Sequence, residues 1–107
     1  MPPRTPDLGR FAEPAMLVLV SLSDGPKHGY AIMADVESFS RAPMGPGTLY
    51  AVLARLEEAG HVAPLAVDDR RRPYRITSAG TAAMRQQLDA MERFVRVGRL
   101  RVRSADR

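Results

Sequence analysis

Gly60 divides the sequence into two parts in which apolar residues have different spacings. Before it, they recur every three or four positions, which is typical of one face of an α-helix. From His61 to Thr77, apolar and polar residues alternate, which indicates short β-strands. A helical spacing returns after Thr77. The sequence therefore predicts helices, then a β-hairpin, then a last helix.

Three helices are expected before Gly60, each bounded by proline or glycine. Their expected ranges are 13–23, 28–40 and 46–60. In the second helix, the spacing predicts that Ile32, Val36 and Phe39 share a buried face. The first helix is apolar nearly all round, which places it in the centre of the core.

Two strands are expected at 61–67 and 73–77, joined by a polar tip from Asp68 to Arg72. Pro64 and Pro73 favour an edge ribbon over a central strand. Three helices followed by a two-stranded ribbon form the winged helix-turn-helix arrangement, a mostly α fold with a small β element. We divide the chain into a flexible N-terminal arm (1–12), a winged helix-turn-helix domain (13–77), a dimerisation helix (78–100) and a basic tail (101–107).

The composition limits the classes of protein that fit. The 107 residues are 45% hydrophobic and 26% charged, which suits one small globular domain. The chain has no cysteine, so it forms no disulfide, and its two histidines lie in different elements without an acid at a metal-binding spacing. The longest apolar run, AMLVLV, is too short to span a membrane. We expect a cytoplasmic protein with no membrane partner, metal, cofactor or catalytic activity.

Positive charge is concentrated in the second part of the chain. The net charge of the whole chain is +4, whereas residues 61–107 carry eleven basic and five acidic residues, a net +6. Fifteen of the sixteen basic residues are arginine, whose forked guanidinium suits phosphate groups. A bias in genomic base composition would produce the same preference for arginine.

The third helix has two different sides. Its apolar side is formed by Leu49, Val52, Leu53 and Leu56. The other side is mostly small, with Thr48 and Tyr50 near the N-terminus and Arg55 further along. A helix that enters a major groove about 12 Å wide needs small residues and a few hydrogen-bonding side chains there. The alternative is that this side packs on another helix, with Tyr50 half-buried.

Three strings resemble the PadR family of bacterial transcriptional regulators in order and spacing: HGYAIM at 28–33, GTLYAVLARLEEAGHV at 47–62 and YRITSAG at 74–80. The resemblance implies a winged helix-turn-helix that binds an operator, usually as a repressor relieved by a small effector. The short segment after Gly80 is similar to the small subfamily, which has a single C-terminal helix. The family commonly has proline where Ala51 stands.

The candidate DNA-binding residues combine the family motifs with nearby cations. The resemblance places Tyr30, Thr48, Tyr50 and the wing arginines at the interface, and the charge pattern adds the others. The full set is Lys27, Tyr30, Thr48, Tyr50, Arg55, Arg70, Arg71, Arg72 and Arg75. For the arginines of the hairpin tip, a solvated turn is the alternative.

The last helix carries an apolar stripe that its own small domain does not need. We expect it to pair with the same helix of a second chain, burying Met84, Leu88, Met91, Phe94, Val95 and Val97. Folding back on its own domain is the alternative. Methionines and Phe94 here would suit an apolar or aromatic small-molecule effector, although simple core packing is the interpretation that we favour.

The sequence thus predicts a homodimer that binds double-stranded DNA at a pseudo-palindromic operator. Two other classes stay open. A winged domain can be a protein-interaction module, which would show no affinity for DNA at low salt. A ligand-sensing or sequestering dimer would respond to apolar aromatic compounds without DNA.

Overall fold

The structure, a computed structural model, describes residues 14–40 and 43–106. The elements are helix α1 (Pro14–Leu22), strand β1 (Lys27–His28), helix α2 (Gly29–Ser40), helix α3 (Pro46–Glu58), strands β2 (Val62–Pro64) and β3 (Pro73–Ile76), and helix α4 (Ser78–Ala105). This is the winged helix-turn-helix fold that the sequence predicts. The predicted N-terminal arm lies outside the described residues.

The sheet has three antiparallel strands in the order β1-β3-β2. The predicted two-stranded ribbon corresponds to β2 and β3, and the prediction misses β1. Lys27 pairs with Tyr74, and His28 pairs with Pro73. A strand of two residues is too short to show an alternating pattern, which explains why the sequence does not reveal it. β1 joins the turn after α1 to the hairpin.

The hairpin between β2 and β3 is the wing, residues 65–72. Its strands are shorter than expected, but Leu65 N–H still donates to the Pro73 carbonyl at 2.8 Å. At the tip, Asp68 and Arg71 exchange two backbone hydrogen bonds of 2.7 and 2.9 Å. The two residues between them, Asp69 and Arg70, have positive φ angles of 50° and 64°. Positive φ at both central residues is typical of the two-residue turn that fits the twist of a hairpin.

The core forms where α1 meets α2 and α3. Its most deeply buried members are Val18, Leu22, Ile32, Val36, Leu49, Val52 and Leu53. Met44, in the segment before α3, also joins the core, which the helical spacing does not predict. Phe39 was expected on the buried face of α2 but is 45% exposed. The spacing of apolar residues predicts which face of α2 is buried. How far along the helix that face stays buried depends on the neighbouring elements, which do not cover Phe39.

Helix α4 begins with a strong cap. The Thr77 hydroxyl accepts a hydrogen bond from Gly80 N–H at 3.0 Å and donates to the Gly60 carbonyl at 2.6 Å. The helix continues to Ala105 instead of ending at Leu100, so the basic tail predicted at 101–107 is helical through residue 105. At 1.5 Å per residue, its 28 residues span about 42 Å. Only its first turns contact the core, through the partly buried Met84.

Candidate nucleic-acid interface

Helix α3 keeps the two sides that the sequence predicts. Leu49, Val52, Leu53 and Leu56 are buried. Gly47, Thr48, Tyr50, Ala51, Ala54, Arg55 and Glu58 are all exposed. Gly45 caps the helix in an extended conformation without a side-chain hydrogen bond, and Pro46 begins the first turn. The exposed N-terminal end therefore offers backbone N–H groups and a positive partial charge.

Tyr50 combines exposure with one close contact. Its side chain is 52% exposed, yet the end of its ring lies against Gly29 at the start of α2. A Cβ at position 29 would lie 2.9 Å from the phenol Cζ, and closer still to the hydroxyl. One edge of Tyr50 therefore packs on α2, and the rest of the residue faces solvent. No local sequence pattern explains the glycine between His28 and Tyr30, whereas this contact does.

Tyr30 and Thr48, the other two motif residues, are both exposed. Tyr30 follows Gly29 on α2 and is 74% exposed, which is far more than a packing role would leave. Thr48 is exposed in the first turn of α3. Arg55 is exposed in the last turn of α3, where its charge also suits the negative end of the helix.

The three wing arginines have different surroundings. Arg70 lies at the tip of the turn and is exposed. Arg71 Nη1 lies 3.1 Å from Nε2 of His28 on β1. Arg72 Nη1 donates to the Leu65 carbonyl at 2.7 Å across the base of the wing. Sequence reasoning treated the three as one cluster, whereas two of them also hold the wing in place. Arg75, on β3, is exposed.

Of the candidate DNA-binding residues, Lys27 has the surroundings that least suit a contact with DNA. Its ammonium group donates to the Ser21 carbonyl and forms an ion pair with Asp24, and its side chain is only 19% exposed. Asp35 Oδ2 lies 4.0 Å away on α2. The hydrogen bond and charge of Lys27 lower the pKa of the Asp24 carboxyl. Lys27 thus joins the end of α1 to β1 and α2, and its charge is largely compensated.

Positive charge also extends beyond the wing. Of the eleven basic residues after Gly60, seven lie at Arg85 or later, and only four lie in the wing and β3. The basic second part of the chain is therefore mainly α4. Across the residues that the structure describes, no helix is long and apolar enough to cross a membrane, and no acidic or histidine cluster could hold a metal ion.

Helix α4 exposes a continuous apolar seam. Its members recur at steps of three and four: Leu88, Met91, Val95, Gly98, Val102 and Ala105. Two adjoining grooves of about 560 and 480 Å³ follow this seam, with Phe94 at one edge and arginines at the other. Phe94 is 80% exposed.

Val97 was expected to widen this stripe, but it lies about 200° around the helix from Val95. Val97 and the exposed Leu100 form a second, smaller apolar face.

A helix with one buried side and one small-residue side, beside a hairpin that carries arginines, defines a winged helix-turn-helix DNA-binding protein. The model of the PadR-like family of transcriptional regulators matches residues 18–86. The chain belongs to this family. This confirms the resemblance, found in the sequence, to a family of transcriptional regulators.

The similarity to solved structures agrees. A transcriptional regulator from Clostridium thermocellum is 27% identical, with a TM-score of 0.71 over 78% of this chain and 87% of that one. RosR from H. salinarum is 26% identical, with a TM-score of 0.68 over 91% and 94%. A PadR family regulator from Clostridium difficile shares the fold at 20% identity, with a TM-score of 0.72 over 78% and 91%.

One relative by sequence is much longer. An uncharacterized 37.1 kDa protein in transposon TN4556 of Streptomyces fradiae is 45% identical over 85 residues. These residues are 79% of this chain but 25% of the relative. The chain therefore spans about a quarter of the length of that protein.

Proposed function

We propose that the chain is a homodimeric repressor that binds a pseudo-palindromic operator through α3 and the wing. The observation that carries this proposal is the exposed side of α3, where small residues flank Thr48 and Tyr50. Small residues let the helix approach the floor of a major groove, and the two hydroxyl side chains reach base edges or phosphates. A regulator of this kind acts in the cytoplasm, where bacterial DNA lies.

The wing and strand β3 supply cations beside this helix. Arg70, Arg71 and Arg75 are exposed, and guanidinium groups bind phosphate oxygens well. Phosphate contacts fix the position of a protein on the duplex but do not read its sequence. We therefore assign sequence discrimination to Thr48 and Tyr50, and the position on the duplex and most of the salt-dependent affinity to the arginines.

The test is a gel-shift titration of the full chain. One duplex carries the promoter region next to its own gene, and the control duplex has the same base composition in scrambled order. We expect tighter binding to the promoter and a steep loss of affinity with salt for both duplexes. Equal affinity for the two would contradict sequence-specific binding, and no affinity at low salt would favour a protein-interaction module.

Pairing of two chains is supported by α4. Its seam and its second apolar face, which includes Val97 and Leu100, point to different sides, so one partner helix cannot cover both. A second chain that contributes its own α4 and a further element to this contact would bury both faces. Two α3 helices would then lie about one turn of DNA apart, which is the geometry that predicts a two-fold symmetric operator.

Release by a small effector is the part of the proposal that rests most on the family. The grooves along α4 are lined by apolar side chains next to arginines, which suits a flat apolar molecule. The chain contains no tryptophan, so stacking there would depend on Phe94. Titrating planar aromatic compounds against the protein, with and without operator, tests this step: an inducer must bind and weaken the DNA complex.

A further inference from the structure

His28 links the helix-turn-helix core to the wing. It lies on β1, at the start of α2, and its Nε2 is 3.1 Å from Nη1 of Arg71, which lies 43 positions later in the chain. We propose that His28 is a positioning residue for DNA binding: it accepts a hydrogen bond from Arg71 and so directs that guanidinium toward a phosphate of the operator. This inference rests on the proposed function.

The geometry of Arg71 supports a role of this kind. Its backbone is fixed by the two hydrogen bonds to Asp68, so only its side chain is free to turn. A guanidinium has five N–H donors, and the contact with His28 uses one of them. Because Arg71 is exposed, other donors can reach phosphate oxygens. A side chain that is already oriented loses less conformational entropy when DNA binds.

The imidazole can satisfy only one neighbour. Arginine donates and never accepts, so Nε2 of His28 must carry a lone pair, and the ring proton is then on Nδ1. Nδ1 faces the Ala31 N–H at 3.4 Å, which is beyond the usual range for such a hydrogen bond. The contact with Arg71 is shorter and charge-assisted, so it determines the tautomer.

The experiment measures equilibrium binding of the promoter duplex at pH 8 by the full chain and six variants, one of which is Arg70→Ala alone. His28→Ala and Arg71→Ala should each weaken binding about five- to tenfold. The double variant should have about the same affinity as whichever single variant binds less tightly, because both substitutions disrupt the same contact between His28 and Arg71. His28→Gln, which retains an acceptor for Arg71, should stay within about twofold of the wild type. The matched control is His28→Ala combined with Arg70→Ala, whose effects should multiply.

Rescue by His28→Gln separates positioning from a merely structural role, since glutamine retains an acceptor for Arg71 without the imidazole ring. Multiplying effects of His28→Ala and Arg71→Ala, tighter binding by His28→Ala, or His28→Gln that binds as weakly as His28→Ala would each overturn the inference. A wild type that binds promoter and scrambled duplexes equally would instead contradict the proposed function.

Discussion

The phenol ring of Tyr50 on α3 lies so close to Gly29 on α2 that a methyl group on Gly29 would overlap the tyrosine hydroxyl. Because Gly29 has no side chain, the Tyr50 ring can lie against it, and this contact orients Tyr50 on the proposed groove-facing surface. Gly29 contributes to the interface without touching DNA itself.

Gly29→Ala should weaken operator binding while leaving the fold intact. The added methyl would push Tyr50 aside, and Tyr50 has room to turn because it is half-exposed. Alanine is also the better helix former, which offsets part of any loss of packing. We expect about a tenfold loss of affinity in gel-shift titrations, with the free energy of unfolding changed by less than about 1 kcal/mol. In a Tyr50→Ala background, Gly29→Ala should have no further effect on binding; a second tenfold loss there would contradict this account.

Gly80→Ala should destabilise the domain strongly. A Cβ at this position would overlap the His61 carbonyl oxygen and lie 2.9 Å from Cγ1 of Ile76. Backbone atoms cannot rotate away as Tyr50 can, so we expect a cost of about 2 kcal/mol or more in urea denaturation. Gly47→Ala is the matched control, because a Cβ in the first turn of α3 meets nothing within 4 Å. Similar stability of the two variants would show that the close approach at Gly80 relaxes easily.

Thr77→Ala should lower the free energy of unfolding by about 1–2 kcal/mol, since the hydroxyl both caps α4 and bonds the Gly60 carbonyl. Thr77→Ser retains the hydroxyl and should recover most of the loss. Thr77→Val, which has nearly the same shape without a hydroxyl, should behave like alanine. Thermal or urea denaturation distinguishes these outcomes; a stable valine variant would assign the effect to packing.

Arg70→Gly should separate stability from binding. Position 70 has a φ of 64°, which glycine adopts more easily than arginine. The wing should therefore become more stable by about 0.5 kcal/mol. Loss of a phosphate contact should weaken binding to all duplexes alike and reduce the slope of log affinity against log salt by about 1. An unchanged slope would remove Arg70 from the DNA interface.

Val95→Glu should dissociate the proposed dimer. The substitution places a charge in the middle of the seam on α4, where pairing would bury it without a partner. Sedimentation velocity should show a dimer for the wild type and a monomer for the variant, with operator affinity lowered as well. For sedimentation velocity alone, Val67→Glu is the control, because Val67 is similarly exposed but lies on the wing, away from the seam. Dimers that survive Val95→Glu would exclude the seam as the contact.

The order of the elements could be predicted because each helix has a local spacing and a local stop signal. α3 is the clearest case: Pro46 begins it, and Gly60, with a positive φ of 80°, follows its end. The predicted end of α4 at residue 100 is wrong because the arginines that follow it, Arg101 and Arg103, suggest a charged tail. Arginine is a good helix former, and no proline follows to end the helix.

The details of the site depend on contacts that no local pattern contains. Arg71 meets a histidine that lies far away in the sequence, and the pairing exists only because β1 lies beside β3. Arg72 is the neighbouring residue but turns to the Leu65 carbonyl instead. Side chains of the same type at adjacent positions were therefore assigned one role, whereas the folded wing gives them different roles.

Helix α4 is longer than the domain that it leaves, and this length has a mechanical consequence. A tilt of about 5° over its roughly 42 Å moves one end by about 4 Å relative to the other. In the proposed dimer, α3 lies near the N-terminal end of α4, and the contact between the two chains extends along the rest of α4. A small change in the angle between the two α4 helices of that dimer would therefore change the spacing of the two α3 helices.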